Sequence, residues 1–500
     1  MSSRFTRRRA VAQGVGFALA GTLAPTAVAR QARRRPLLRE GAFAQGVASG
    51  LPSRRRASVW TRVDGLGPRE GGLVRVEVAR DAAFRDVVER RTALADPRRD
   101  HCVRVQVGDV LGPGEEYFYR FWTARAESPV GRLRIPRPAD SAEPVRIGFF
   151  SCQRYVEGTF AAHAGLAAED DLDLVVCLGD YIYERNGAGQ VAGRDDATSA
   201  AEDGQVATLD EYRRKYQLYR SDPQLQAMHA AHPFLAGWDD HEVASNYEGA
   251  AGPSPARVPF KTRRRNGYVA FLEHMPFLPE RSDRFRTYRA LPLGRRAELI
   301  VLDTRQYRDR AAGTMLGEAQ RKWLFARLAA STATWKIIAN QTMCMANDIA
   351  PGRSGDLDGW DGFADERRLM FEEVRARGVR NVAFATGDEH EFYAGTLSPS
   401  GRTDTPAVAT EVVTGAISSG AKPPGSERQQ SALGATAQKL ANPQWALADG
   451  EHNGYGVFEA RPDELTVTLR GPREVQDAAS PTATIASLRV ASGVPGVEIS

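Results

Sequence analysis

The segment VVCLGDYIYE, Val175–Glu184, decides the fold class. Its first half is a continuous apolar run, the pattern of a strand buried on both faces of a parallel sheet. The run ends in Gly179-Asp180 and is followed by Tyr181 and Tyr183. A buried strand that delivers a carboxylate at its tip, then a phenol three residues later, raises a question of chemistry. Ligands in open α/β sheets bind beyond the carboxyl ends of the strands. The segment therefore predicts an α/β domain with a site at that end.

The same pattern recurs on both sides. From Val145 onward, VRIGFFSC, PFLAGWDD, AELIVLDT, WKIIANQT and NVAFATGD read as further buried strands. Amphipathic stretches such as LDEYRRKYQLYRSDPQLQAMHAA and GEAQRKWLFARLAA lie between them, as helices covering sheets should. Several strands end in ligand-type residues: Cys152; Asp180 and Tyr183; Asp239, Asp240, His241, Glu242 and Asn246; Asp303 and Arg305; Asp388 and His390. A single Asp at a strand end is most often a helix cap or turn former. Five such ends in one domain make coincidence a poor account. Upstream, residues 41–136 change to short alternating runs punctuated by Gly, Pro and Asp, the signature of an antiparallel sandwich. Arg134–Pro144 reads as a linker to a domain spanning 145–500. GYGVFEARPDELTVTLRG returns to strand–turn–strand near the end.

Composition is that of a globular protein, 42% hydrophobic and 26% charged, with seven tryptophans and fourteen tyrosines. Of the net charge of +5, four come from arginines in residues 1–29, leaving +1 for the remainder. A nearly neutral chain offers no electrostatic case for nucleic acid. Residues 1–29 read as a twin-arginine export signal: TRRRAVAQG precedes a weakly apolar segment, and Ala27 and Ala29 form an A-x-A-like cleavage site. The pair is either Arg7-Arg8 or Arg8-Arg9. The expected partner is the twin-arginine translocation machinery, which carries folded proteins, and the expected location is secreted or periplasmic. Residues 30–40 read as a flexible leader. No later run reaches the ~18 apolar residues of a membrane span. The four cysteines form no CxxC pair, which argues against a zinc ribbon or thioredoxin-type site.

The strand-end residues suit metals. Carboxylate and amide oxygens favour hard ions such as Ca²⁺, and imidazole and thiolate favour transition metals. A phenolate with a thiolate supplies the negative charge that stabilises iron(III). Asp180, with two oxygens, could bridge two ions, and Tyr183 could reach the same centre if the chain turns just after Asp180. Alternatively, Tyr181 and Tyr183 are packing residues beside a cap. His229, His232, His274 and His452 show no partner pattern and read as structural or exposed.

The set FFSCQRY, LGDYIYE, GWDDHEVASNY, VLDTRQYRD, DGWDGFADERRLM and ATGDEHEFYAG resembles the PhoD-type alkaline phosphatases and phosphodiesterases. FAQGVASGLPSRRRASVWTRV resembles the start of that family's N-terminal domain. The resemblance implies a four-layer α/β/β/α metallophosphatase sandwich preceded by an immunoglobulin-like domain, and a centre of Fe³⁺ and Ca²⁺. It implies Cys152, Asp180 and Tyr183 as iron ligands, with Asp388 and His390 also binding metal. Asn246 is the expected calcium ligand, Asp240 and His241 are catalytic candidates, and Arg154 and Arg305 are candidates for gripping phosphate oxygens. This chain departs from the family at Ser245-Asn246, where two asparagines are usual. It also departs at Tyr393, usually Trp, and at Leu51 in Ser-Gly-Leu-Pro, usually Asp. The expected activity is hydrolysis of a small-molecule or lipid phosphate ester by a metal-activated water. A phosphodiesterase or phospholipase D-like enzyme on the same centre is the alternative, set by pocket width and a possible lid in the segment 426–450. A non-catalytic secreted binding protein is the rival from another class.

Overall fold

A computed structural model describes residues 37–500 except 54, 55, 109, 278, 281, 351, 422 and 424. The export signal expected at 1–29, and residues 30–36 of the expected leader, lie outside the described residues.

The continuous apolar runs become central parallel strands. Val145–Phe150, Leu174–Cys177 and Pro233–Ala236 pair in parallel register, and the latter two are buried at every position. They form the middle of a ten-stranded sheet, flanked on one side by the C-terminal strands Tyr455–Ala460, Glu464–Pro472, Thr482–Ala491 and Glu498–Ile499. A seven-stranded sheet carries Ala297–Val301, Trp335–Asn340, Val382–Thr386 and Ala409–Val413 in parallel. Successive residues of these strands face opposite sides. Leu299, Val301, Ile337 and Ala339 pack into one core with Phe149 and Val175 of the larger sheet. Ile300, Ile338 and Phe384 pack instead against Leu324, Leu328, Met370 and Phe371 of the helices Gly317–Ala330 and Ala364–Ala376.

The stretch LDEYRRKYQLYRSDPQLQAMHAA is two helices, Leu209–Arg220 and Pro223–Ala231. The break is chemical. Asp222 accepts the N–H groups of Gln224 and Leu225, and Pro223 occupies the first helical position, where its missing N–H costs nothing. The first helix begins with a capping box between Thr208 and Glu211. Among the described residues, no helix is long and apolar enough to cross a membrane.

The N-terminal strands divide between two sheets. Val87–Ala95, Gly72–Ala79, Glu116–Trp122 and Gly131–Arg134 make a four-stranded antiparallel sheet. Val47–Ser53, Arg56–Arg62 and Cys102–Gly108 instead extend the ten-stranded sheet. Val59, Val76, Val105, Tyr119 and Phe121 share the core between them. The expected linker, Arg134–Pro144, therefore separates two lengths of chain, not two sheets, and its first residue ends the strand Gly131–Arg134. The reason is the edge of Val47–Ser53, whose free backbone groups would otherwise invite pairing. It pairs in parallel with Pro233–Ala236 through Ser49 and Gly50. Gly50 is required there, because a Cβ would lie 2.6 Å from the Phe234 carbonyl oxygen. On the same seam Asp100, Cys102 and His274 gather. The Asp100 carboxylate is already held by Arg62, Gln217 and His274, which makes this a contact between the two lengths of chain.

Candidate metal centre

Gly179 answers the question posed by VVCLGDYIYE. Its φ is +136°, and a Cβ would lie 2.5 Å from the Asp239 Cβ, so only glycine fits. The turn it permits folds the chain back on Asp180. Tyr183 donates its hydroxyl to Asp180 Oδ2 at 3.1 Å and lies 3.1 Å from His390 Nε2. Cys152 Sγ lies 3.6 Å from the same carboxylate oxygen. Tyr181 faces the other way, with its hydroxyl 2.8 Å from His229 Nε2 inside the core. The two tyrosines thus divide the two roles the sequence left open, Tyr183 at the site and Tyr181 in packing.

Carboxyl ends of both sheets contribute, as the alternation of buried strands and polar tips requires. Three groups of metal-ligand atoms within 4.8 Å of one another share Asp180: Cys152, Asp180 and His390; Asp180, Asp240 and His241; and Asp180, Asp239, Asp240 and Asp388. A fourth, Asp356, Asp388 and Glu389, shares Asp388 with the last. Asp356 and Glu389 were missed in the sequence. Glu389 stands inside the quoted GDEH and could have been found there, whereas Asp356 sits in a loop with no strand to mark it.

Five of the ten non-glycine residues with left-handed φ among the described residues are expected ligands. Cys152, Asp180, Asn246, Asp388 and His390 all have left-handed φ, between +51° and +72°. Asp and Asn tolerate this conformation, but Cys and His pay for it, and strain of this kind gathers at functional sites.

The electrostatics fit cations. Burial and the neighbouring Asp240 push the Asp180 carboxyl well above its ordinary range. Burial and Asp239 do the same to Asp388. Glu389 is pushed up to about 8 by desolvation and by Asp356, Glu411 and Glu391. Burial, then Asp180, raises both the Cys152 thiol and the Tyr183 phenol. Asp240 Oδ1 is buried and accepts no hydrogen bond. These groups hold more latent negative charge than the nearby side chains neutralise, the condition in which a buried cluster takes up metal.

The Asp239–Glu242 turn supplies framework and chemistry together. Glu242 accepts the N–H groups of Asp239, Tyr181 and Asp180 at 2.7, 2.6 and 3.2 Å, tying two strand ends to one carboxylate. His241 Nδ1 lies 2.6 Å from Glu184 Oε2, a buried partner that sequence reasoning missed. Burial alone would lower the His241 pKa, but Asp240, Glu184 and Asp180 raise it well above its ordinary value. Asn246 is exposed, and its N–H donates to Asp240 Oδ2 at 2.7 Å.

The two arginines separate. Arg154 is about one-third exposed, pairs with Glu157, and lies 5.7 Å over the Tyr183 ring, so it stands at the rim. Arg305 corrects the sequence expectation. It is fully buried, with its guanidinium held by Asp239 and bidentately by Asp358, and it has no face left for a phosphate. Its role is to neutralise and position those two carboxylates. His232, His274 and His452 bind the Leu166 carbonyl, Asp100 and Asp449 respectively, in line with structural roles.

A mixed α/β fold that converges carboxylates, a thiol, a phenol and imidazoles from two sheets defines a metallophosphatase-type hydrolase. Residues 147–469 match the PhoD-like phosphatase family and residues 28–137 its N-terminal domain. The chain belongs to the PhoD-like phosphatase family and is a phosphatase of that type. It is 35% identical to alkaline phosphatase D of Bacillus subtilis over 430 residues, covering 79% of this chain and 73% of the relative. A solved structure of PhoD superposes with a TM-score of 0.82 at 31% identity, covering 93% of each chain. A purple acid phosphatase from yellow lupin seeds shares the fold, with a TM-score of 0.55 at 12% identity, over 88% of this chain and 73% of that one. The non-catalytic binding protein is thereby set aside.

Proposed function

We propose that the protein is an exported phosphoric ester hydrolase working with an Fe³⁺/Ca²⁺ centre. The observation that carries this is the convergence of three ligand groups on Asp180, one of them with a thiol and all within reach of a phenol. Cys152, Tyr183, Asp180 and His390 would hold iron. Asp180, Asn246 and Asp388, joined by the carboxylates of Asp239 and Asp356, would hold calcium. When bound, such a centre supplies Lewis acidity toward phosphoryl oxygens and acidifies an attacking water. Asp240 faces the same space. Glu184 holds His241 through its Nδ1, and His241 would serve as the acid toward the leaving oxygen. Arg154, at the rim and about one-third exposed, would clamp a non-reacting phosphate oxygen with the guanidinium nitrogens that Glu157 leaves open. The alternating faces of the two large sheets support the four-layer sandwich, and the shared core of the N-terminal strands supports an immunoglobulin-like domain. Assay of phosphate mono- and diesters, phospholipids included, on iron- and calcium-replete protein tests this. No turnover of any of them would sink the proposal.

Calcium chelation is expected to abolish activity, and added Ca²⁺ to restore it, because oxygen ligands release Ca²⁺ far more readily than an anionic Cys/Tyr/Asp site releases iron(III). Stripping iron as well as calcium should also give stability a new pH dependence. In the folded metal-free protein the site carboxyls keep protons that the unfolded chain has already lost above about pH 4.5. Stability of the metal-free protein therefore falls as pH rises toward and through 8, where Glu389 also ionises. Full activity under exhaustive calcium chelation would count against a calcium site, and a metal-free protein that grows more stable from pH 6 to 9 would count against protonated site carboxyls.

For export we propose the twin-arginine route. Replacing Arg7, Arg8 and Arg9 by Lys is expected to block it, and unimpaired secretion of the triple variant would refute the assignment.

A further inference from the structure

The turn Ala416–Gly420, sequence AISSG, belongs to no motif singled out in the sequence, yet it is stitched to the segment that carries Cys152. Ser151 and Ala416 form a parallel bridge, and the Ile417 N–H donates to the Ser151 carbonyl. The Ser418 and Ser419 N–H groups both donate to the Cys152 carbonyl, at 3.4 and 3.1 Å. Asn453 Nδ2 holds the Ser419 carbonyl at 3.0 Å. Ser419 is fully buried, and its hydroxyl has two partners. It accepts the Arg154 N–H at 3.0 Å and donates to the Tyr183 oxygen at 2.8 Å.

The direction of the Ser419 links is fixed. A backbone N–H can only donate, so Ser419 Oγ accepts from Arg154 and its one proton is left for Tyr183. Tyr183 in turn donates to Asp180. The run from Arg154 through Ser419 and Tyr183 to Asp180 thus links the rim arginine's backbone to the shared carboxylate. We infer that Ser419 is a positioning residue for the Tyr183 oxygen, holding it over Asp180 and drawing electron density from it when it ligates iron. This rests on the iron assignment above. Partners behind a metal ligand orient it and set how strongly it donates. Without the hydroxyl, the Tyr183 oxygen becomes a stronger donor and a less well-placed one. Its charge-transfer band then moves to longer wavelength, and the iron(III) state becomes harder to reduce.

Ser418 provides the control. Its hydroxyl donates to the Arg154 carbonyl at 2.9 Å in the same turn and makes no hydrogen bond to Tyr183. Wild type, S419A, S419T and S418A are loaded with iron and calcium, and their visible spectra and iron reduction potentials are compared at equal iron content. S419A is expected to shift the band to longer wavelength, lower the potential and weaken iron retention by roughly 10–100-fold. S419T should return all three toward wild type, and S418A should leave the band in place. Coincident spectra for S419A and wild type would overturn the inference. So would an equal shift in S418A, because the turn would then act only through its packing. If S419A retains no iron, S419T decides: iron held with the wild-type band supports the inference, and iron lost overturns it. A wild type without iron or visible band defeats the iron assignment itself, and the role of Ser419 falls with it. That result is distinct from a coloured wild type whose spectrum is unmoved in S419A.

Discussion

Asp180→Asn is expected to lower turnover by at least ~10³-fold while making the metal-free protein more stable at alkaline pH. The first effect follows from sharing: Asp180 belongs to three ligand groups at once, and Asn keeps its size but loses the charge and the second anionic oxygen. A loss of several kcal/mol of Lewis-acid stabilisation corresponds to that factor. The second effect follows from burial. Asp180 is 1% exposed beside Asp240, so its folded pKa lies well above the unfolded value. Between those two values the unfolded chain is ionised and the folded one resists ionisation, which destabilises the fold as pH rises. Asn has no proton to lose, and it tolerates the left-handed φ of +55° at this position. Thermal unfolding of chelated wild type and D180N at pH 6 and pH 9 should show a gap in favour of the variant that widens with pH. Activity within tenfold of wild type, or a variant less stable at pH 9, would refute the shared-ligand role.

Tyr183→Phe and Cys152→Ser are expected to lose or shift the visible charge-transfer band of the iron-loaded protein and most of its activity. Tyr183→Phe keeps the ring and removes the oxygen that meets Asp180, His390 and Ser419. Cys152→Ser keeps the size and removes the soft anionic ligand. Tyr181→Phe is the crossed control. Its hydroxyl bonds His229, so its loss leaves a buried imidazole unpartnered, at about 1–3 kcal/mol of stability, with colour and iron content intact. The decisive measurement is iron content and absorbance against melting temperature for all three variants. If Tyr181→Phe bleached the protein and Tyr183→Phe did not, the assignment would be wrong by two residues. If neither changed the colour, both tyrosines would be packing residues.

Asp180, Tyr183, Cys152, Asp388 and His390 were legible because each stands at the tip of an apolar run. A buried strand can be recognised from a few consecutive residues, and a polar group at its end needs a reason. The helix break at Asp222-Pro223 and the obligatory Gly179 are local in the same sense, since a cap or a left-handed turn is written in neighbouring residues. Arg305 was misjudged because its partners are remote in sequence. Asp239 is 66 residues before it and Asp358 is 53 after it, and nothing beside Arg305 shows that two carboxylates have closed over its guanidinium. The pairing of Glu184 with His241 and of Ser419 with Tyr183 was hidden for the same reason, over 57 and 236 residues.

The division follows from how the two kinds of information are stored. The chain by itself determined which strands are buried, where they end and what chemistry those ends carry, because periodicity and turn propensity act over a few residues. Only the tertiary structure decided that Val47–Ser53 joins the larger sheet, that three candidate ligand groups meet at Asp180, and that Arg305 is framework while Arg154 is rim. Each of those depends on how two sheets pack and which strand ends meet. Packing brings together side chains whose separation in sequence carries no signal of their contact.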